Sequence, residues 1–161
     1  MIWLRAVLFV LVVQAVVVGL VPYLLAQDAA GPRLPEGGWR AVGLLPLILG
    51  VAALAWCNWA FVARGRGTAA PYDPPRELVA TGLYRWTRNP MYVSALSIVL
   101  GIGVWTGSVA VLVYAAALAV VYALFVRFYE EPKLRRSFGA SYERYRAEVP
   151  RWLPRPPRRA V

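Results

Sequence analysis

Two short polar segments interrupt an otherwise apolar chain. The first covers residues 82–92 and reads GLYRWTRNPMY, and the second covers residues 127–132 and reads RFYEEP. Each segment adjoins an apolar stretch of the kind that crosses membranes. Charged side chains at the edge of the hydrocarbon layer cost free energy and are usually retained for function. We therefore expect these two segments to carry most of the chemistry of the protein.

Two arginines of the first segment lie beside a predicted helix start. Asn89 is a favoured N-cap residue, and Pro90 is favoured at the first helical position. The first turn of a helix offers free backbone N–H groups and a partial positive charge. Arg85 and Arg88 add guanidinium groups at the same place. The pattern predicts an anion site suited to a carboxylate or a phosphate.

The second segment contains an adjacent acidic pair, Glu130 and Glu131. Pro132 disfavours a helical conformation at Glu131, so we expect the preceding helix to end near that residue. The dipole of a helix disfavours carboxylates at its C-terminus, so the pair requires a positively charged or hydrogen-bonding partner. One alternative is a bound cation or a pair of ligand hydroxyls, and the other is a basic side chain nearby along the chain. The basic candidates are Arg127, Lys133, Arg135 and Arg136.

Aromatic residues and glycines near the first segment allow further contacts. Tyr84 and Tyr92 bracket the arginines and could stack on a flat ring or cover a cation. Gly101 and Gly103 lie in the apolar stretch that follows. Glycines in such a stretch allow two helices to approach closely, and we prefer this interpretation to a contact with ligand.

The C-terminal tail contains a short amphipathic pattern. Tyr142, Tyr145 and Val149 recur at helical spacing, which predicts a helix over residues 140–148. Such a helix could lie on the membrane surface or fold back over a pocket.

Long apolar stretches dominate the chain, and 60% of its 161 residues are hydrophobic. The stretches cover residues 3–25, 41–63, 92–105 and 108–129. A helix needs about 20 apolar residues to cross a bilayer, and the short third stretch joins the fourth through Gly107 and Ser108 in a helical hairpin. We predict an all-α polytopic membrane protein with about four transmembrane helices in residues 1–130. Residues 131–161 would form a cytoplasmic tail that carries the short amphipathic helix.

Positive charge is concentrated in two parts of the chain, whose net charge is +10. Residues 64–88 hold five arginines and two acidic residues, and residues 127–161 hold ten basic and four acidic ones. The positive-inside rule places both parts in the cytoplasm, together with the N- and C-termini. The short loops indicate a bacterial inner membrane. Because the basic residues flank the spans, we expect contact with anionic membrane lipids and no binding of nucleic acid.

Histidine is absent from the chain, and the single cysteine, Cys57, lies inside the second apolar stretch. Histidine is the commonest general base and metal ligand, and one cysteine cannot form a Cys-rich zinc site. We therefore expect no metal site. Any proton transfer would fall to glutamate, aspartate or tyrosine side chains.

The polar segments resemble, in order and spacing, the motifs of two families of membrane methyltransferases. Residues 82–92 are similar to the Arg-His-Pro-x-Tyr motif of isoprenylcysteine carboxyl methyltransferases and to the Asn-Pro-Met-Tyr of phospholipid methyltransferases. Residues 129–132 resemble the paired-glutamate motif of the same superfamily, and residues 138–154 resemble the tail of many bacterial members. The resemblance implies an integral membrane enzyme that uses S-adenosylmethionine. Its cofactor pocket would lie between the last two spans and be completed by the tail.

The resemblance also implies roles for individual residues. The arginines would bind the carboxylate of the cofactor, the glutamates its ammonium group or ribose hydroxyls, and the tyrosines its adenine or sulfonium. The implied cofactor-binding residues are Tyr84, Arg85, Arg88, Asn89, Tyr92, Glu130, Glu131 and Tyr142. The implied catalytic residues are Arg88, Asn89 and Glu131. Asn89 stands where the carboxyl methyltransferases have histidine, and its amide cannot titrate.

The acceptor implied by the resemblance is a lipidic or isoprenoid molecule that enters laterally from the bilayer. Both O-methylation of a carboxylate and N-methylation of a headgroup remain open. A carboxylate needs no general base, so the lack of histidine slightly favours it.

Two other functions fit part of the pattern. An NADPH-dependent membrane reductase of the sterol-reductase type would also use an arginine-rich pocket, in that case for a phosphate. A non-catalytic adaptor would use the basic tail to bind anionic lipid. We rank both after the methyltransferase.

Overall fold

The computed structural model describes residues 11–28, 30–64, 78 and 80–156, and within them the chain is helical with no β-strand. The helices are α1 Leu11–Gln27, α2 Leu44–Arg64, α3 Pro90–Thr106, α4 Val109–Phe125 and α5 Glu131–Glu148. Turns of 3-10 helix cover Gly38–Gly43 and Gly82–Arg85, and π-helical turns cover Ala15–Leu20 and Val126–Glu130. The first π turn lies inside α1, and the second joins α4 to α5.

A tight hairpin connects α3 to α4, as the sequence predicts. Gly107 ends α3 in the left-handed conformation, with φ of 69°, which favours glycine at this position. Ser108 then caps α4, because its hydroxyl accepts a hydrogen bond from the backbone N–H of Val111. The hairpin packs its two helices around a buried core that includes Val99, Val111 and Ala115.

Glycines bring α2 and α3 into close contact. A Cβ atom added to Gly101 would lie 2.6 Å from the backbone nitrogen of Leu47 and 2.7 Å from the carbonyl oxygen of Gly43. One added to Gly50 would lie 2.8 Å from the carbonyl oxygen of Ser94. The packing interpretation of Gly101 is therefore confirmed.

The loop between α1 and α2 closes the end of the bundle where the hairpin turns. The Arg33 guanidinium donates to the carbonyl oxygens of Ala26 and Thr106, which belong to the last turns of α1 and α3. The backbone N–H of Leu34 donates to the carbonyl of Gly107 at 2.8 Å. Helix C-termini leave carbonyl groups without intrahelical partners, so this loop satisfies several of them.

Two helices of the described chain are long and apolar enough to cross a membrane, Gly38–Ala60 and Val109–Glu148. The apolar helices Leu11–Gln27 and Pro90–Thr106 are shorter, and 17 residues of α-helix extend about 26 Å against a hydrocarbon layer of about 30 Å. Residues 3–10 of the first predicted span lie outside the described residues. The part of the chain that the structure describes is thus all-α and contains two candidate membrane-spanning helices, and the count of four spans stays a prediction.

The junction between α4 and the tail differs from the sequence-based expectation. We expected a helix end near Glu131, but the helical path continues from α4 through the π turn into α5. The predicted helix over residues 140–148 is confirmed as the part of α5 that follows Gly139, whose backbone is not helical. Pro132 lies in the first turn of α5, where its missing N–H is tolerated, and the π turn interrupts the helical ladder just before it. The break in direction lies at Gly139, with φ of 49°. The predicted boundary between the membrane domain and the tail, at residue 130, coincides with the last residue of the π turn and stays a prediction.

The close approach of α2 and α3 leads to a stability prediction. Gly101→Ala is expected to lower the free energy of unfolding by about 1–3 kcal/mol, because the new methyl group would force the two backbones apart. Gly19→Ala serves as the control, since a Cβ at Gly19 meets no atom within 4 Å. Thermal unfolding in detergent would compare the two variants. Equal melting temperatures would contradict the packing argument.

Candidate functional site

Three segments meet at the end of the bundle where α3 begins. They are residues 80–89, the junction of the π turn with α5, and residues 149–155 after α5. The backbone N–H of Arg88 donates to the carbonyl of Pro150 at 2.9 Å, and that of Arg155 donates to the carbonyl of Trp86 at 3.0 Å. The third segment therefore lies alongside the first and is held to it by main-chain hydrogen bonds.

A buried carboxylate joins all three segments. Glu131 is 5% exposed. Its Oε1 accepts from Arg88 Nη1 at 2.9 Å, and Arg151 binds both carboxylate oxygens through Nε and Nη2 at 2.8 Å each. We call Arg88, Glu131 and Arg151 the Glu131 triad. Such two-pronged arginine–carboxylate contacts are among the strongest charged hydrogen bonds in proteins.

The partners of Glu131 differ from those expected from the sequence. The expected basic partners were close neighbours along the chain, whereas Arg88 and Arg151 are 43 and 20 residues away. Arg135, one of the expected partners, pairs instead with the exposed Glu143. The macrodipole argument was also wrong, because the helical path continues through Glu131 into α5, so Glu131 does not lie at a helix C-terminus.

Arg88 retains an unused hydrogen-bond donor. Its side chain is 9% exposed, and Nη1 contacts both Glu131 and the hydroxyl of Tyr142, the latter at 3.3 Å. Its Nε is buried and has no hydrogen-bond partner in the part of the chain that the structure describes. Buried hydrogen-bond donors are nearly always paired. A ligand that places an acceptor next to this nitrogen would supply the missing hydrogen bond.

Glu130 takes part in a separate contact. Its Oε2 accepts a hydrogen bond from the hydroxyl of Tyr92 at 3.0 Å. The ring of Tyr92 packs against that of Tyr122, with centroids 4.7 Å apart. The adjacent glutamates thus have different partners, one a neutral phenol on α3 and the other a pair of guanidinium groups.

The remaining predicted residues occupy several environments around the triad. Tyr142 is 1% exposed and contacts Arg88. The Tyr84 carbonyl accepts from the hydroxyl of Tyr145 at 2.7 Å, and burial raises the pKa of the Tyr84 phenol well above its usual value, so it stays protonated. Arg85 is exposed and forms no ion pair with the described residues. Arg85 therefore does not share the carboxylate partner of Arg88, Glu131.

Asn89 has a different task from the one expected. It occupies the N-cap position of α3, but its side chain makes no capping hydrogen bond there. Its amide instead donates to the carbonyl of Arg151 at 3.0 Å, and the hydroxyl of Thr87 donates to the same oxygen. Asn89 and Thr87 thus fix the main chain of Arg151.

Sequence reasoning missed Arg151, which is 33% exposed and central to the site. The signal was present in the Val-Pro-Arg-Trp of residues 149–152, within the tail that resembles bacterial methyltransferases. Nothing in the local pattern shows that this arginine returns to Glu131. Residues 65–77, between α2 and the site, lie outside the described residues.

The burial of the triad predicts a large effect of removing its carboxylate. Glu131→Ala would leave two guanidinium groups without their shared partner, and we expect a loss of about 3–5 kcal/mol in the free energy of unfolding. Glu143→Ala is the control, because Glu143 forms exposed ion pairs with Arg135 and Arg146 and should cost about 1 kcal/mol or less. Denaturant titration in mixed micelles would measure both. Similar losses for the two variants would show that the triad contributes little.

Comparison with known proteins places the chain in a family. A model of the phospholipid methyltransferase family matches residues 39–141, more than half of the chain. The chain is 29% identical to the cobalt-zinc-cadmium resistance protein CzcN of Cupriavidus metallidurans, over 84% of this chain and 60% of that protein. It is 30% identical to the nickel-cobalt-cadmium resistance protein NccN of Alcaligenes xylosoxydans xylosoxydans, over 71% of this chain and 49% of that protein.

The chain thus spans 60% of the length of the first relative and 49% of the length of the second. No solved structure matches it significantly. The region matched by the family model contains both polar segments, with Arg88 in one and Glu131 in the other. The resemblance to phospholipid methyltransferases is therefore confirmed, and the chain belongs to the phospholipid methyltransferase family.

Proposed function

We propose that this chain is an integral membrane methyltransferase that transfers a methyl group from S-adenosylmethionine to a lipidic or isoprenoid acceptor. Family membership supports the methyltransferase class. The observation that supports particular residues is the buried Nε of Arg88, beside the Glu131 triad, which has no hydrogen-bond partner among the described residues. A carboxylate of the cofactor would supply the acceptor that this donor lacks.

The charges of the site suit a zwitterionic ligand. Two guanidinium groups and one carboxylate give the Glu131 triad an excess of positive charge. Glu130, the adjacent residue, supplies a carboxylate that is held by a neutral tyrosine. The methionyl part of S-adenosylmethionine carries a carboxylate and an ammonium group, so each would meet a group of opposite charge. We propose Arg88 for the carboxylate and Glu130 for the ammonium group or the ribose hydroxyls.

Other residues of the site would complete the cofactor pocket. Tyr84, Tyr92 and Tyr142 offer aromatic faces or hydroxyls for the adenine or the sulfonium. Arg85 would add a second guanidinium group near the start of α3. Glu131 and Asn89 already use their side chains within the protein, so we assign them to positioning rather than to direct contact with substrate.

The chemistry asks little of the protein beyond alignment. The bound cofactor supplies a methyl group that is already activated by its sulfonium. The chain has to orient the acceptor and exclude water, which the buried triad and the tail would do. An acceptor carboxylate would react without proton transfer. An acceptor amine would have to lose a proton, and Glu130 is the nearest described carboxylate outside the triad.

We further propose a bacterial inner membrane, with both termini in the cytoplasm and the acceptor entering from the bilayer. The basic excess of residues 127–161 supports this orientation. The relatives' names refer to resistance to metal ions. The described residues around the site include arginines, tyrosines, one ion-paired glutamate and one glutamate bound to a tyrosine hydroxyl, a set that suits an anionic ligand group better than a metal ion.

Isothermal titration of the protein in nanodiscs with S-adenosylmethionine tests the proposal. We expect saturable binding, and with a labelled methyl group we expect label in the lipid or isoprenoid fraction after incubation with membrane extract. Absence of binding by protein that is shown to be folded would refute the proposed function. Binding of NADPH in its place would favour the reductase.

The proposed role of Glu130 predicts a specific effect on the cofactor. Glu130→Gln keeps the size of the side chain and removes its charge, so we expect affinity for S-adenosylmethionine to fall by about 10- to 100-fold, the effect of one charged hydrogen bond. Glu148→Gln removes the same charge at an exposed position of α5, so this control variant should bind like the wild type. If Glu130→Gln also bound like the wild type, Glu130 would not contact the cofactor.

A further inference from the structure

Arg151 governs the position of Glu131 more firmly than Arg88 does. Arg88 reaches the carboxylate through one nitrogen, whereas Arg151 binds both oxygens, one through Nε and one through Nη2. A two-pronged contact fixes the plane of a carboxylate, which a single contact does not. The orientation of Oε1, and with it the place of Arg88 Nη1, therefore follows from Arg151.

The main chain of Arg151 is fixed by the residues on both sides of Arg88. Its carbonyl accepts from Thr87 Oγ1 at 3.0 Å and from Asn89 Nδ2 at 3.0 Å. The carbonyl of the preceding residue, Pro150, accepts from the backbone N–H of Arg88. Arg88 is thus held twice, by its main chain to residue 150 and by its side chain to the carboxylate that Arg151 orients.

We infer that Arg151 is a positioning residue of the cofactor site, acting through Glu131 to hold Arg88, whose buried Nε has no partner among the described residues. The inference rests on the proposed function and goes beyond it, because it makes the segment of residues 149–155 part of the site. Asn89 belongs to the same chain of contacts, since its amide anchors the carbonyl of Arg151. The ligand group that would bind Arg88 is a carboxylate, such as that of an amino-acid moiety.

The exposure of Arg151 allows its role in binding to be separated from a role in folding. Its side chain is 33% exposed, whereas those of Glu131 and Arg88 are 6% and 9% exposed. A lysine at this position would keep the positive charge near Glu131 but could not bind both oxygens in one plane. Arg151→Lys should therefore preserve the fold, but the carboxylate of Glu131 would no longer be held in one orientation.

The test compares Arg151→Lys with Arg146→Lys in the full chain in nanodiscs. Arg146 is a matched control, because its side chain is 39% exposed and also pairs with a glutamate, Glu143. We expect Arg151→Lys to lower affinity for S-adenosylmethionine by about tenfold, within the range for one charged hydrogen bond, while its melting temperature stays close to that of the wild type. At saturating cofactor its turnover should approach the wild-type rate. Arg146→Lys should change neither affinity nor turnover.

Three outcomes would overturn the inference. Wild-type affinity in Arg151→Lys would show that Arg151 does not position the site. A second outcome is that Arg151→Lys lowers both the affinity and the melting temperature, and that its affinity returns to the wild-type value at a temperature where the variant is fully folded. This outcome would show that Arg151 has a structural role only. Failure of the wild type itself to bind S-adenosylmethionine would remove the proposed function and this inference together, and that result differs from the first two because it appears before any substitution.

Discussion

The burial of one carboxylate between two guanidinium groups is the constraint on which the rest of this structure depends. Removing such groups from water costs several kilocalories per mole for each ion, and only close, well-directed contacts offset it. Glu131 obtains three such contacts, each of 2.8–2.9 Å. Because Arg88 precedes α3, Glu131 begins α5 and Arg151 follows α5, satisfying this carboxylate requires all three segments to meet. The location of the site follows from that requirement.

The π-helical turn at Val126–Glu130 and the start of α5 explain how two adjacent glutamates acquire separate tasks. Neighbouring residues of an α-helix project about 100° apart, so the side chains of Glu130 and Glu131 point in different directions. Glu130 contacts Tyr92 on α3, and Glu131 contacts the arginines. Helical turns of the π type often occur at functional sites. Here the turn lies where the apolar helix α4 passes into the polar helix α5.

Local patterns in the sequence predicted local features well. The helix start at Pro90, the hairpin at Gly107 and the close packing at Gly101 each depend on a few neighbouring residues, and the structure has all three. Pro132 was interpreted wrongly, because its effect depends on where in a helix it falls. Arg151 was missed because its position depends on the bend at Gly139 and on hydrogen bonds to Thr87 and Asn89, which no local pattern contains.

The same network gives a physical reason for an enzyme of this proposed kind to work without histidine. Its buried groups are an arginine, a glutamate and tyrosines, none of which needs to change charge for methyl transfer to a carboxylate. What the site needs is a fixed arrangement of charge in a dry place, since such an arrangement does not have to reorganise during the reaction. The triad is fixed by the segment that precedes α3, by α5 and by the segment after α5. In the proposed reaction, a charged cofactor from water and an apolar acceptor from the bilayer would then meet at the junction of α4 and α5, where the two environments adjoin.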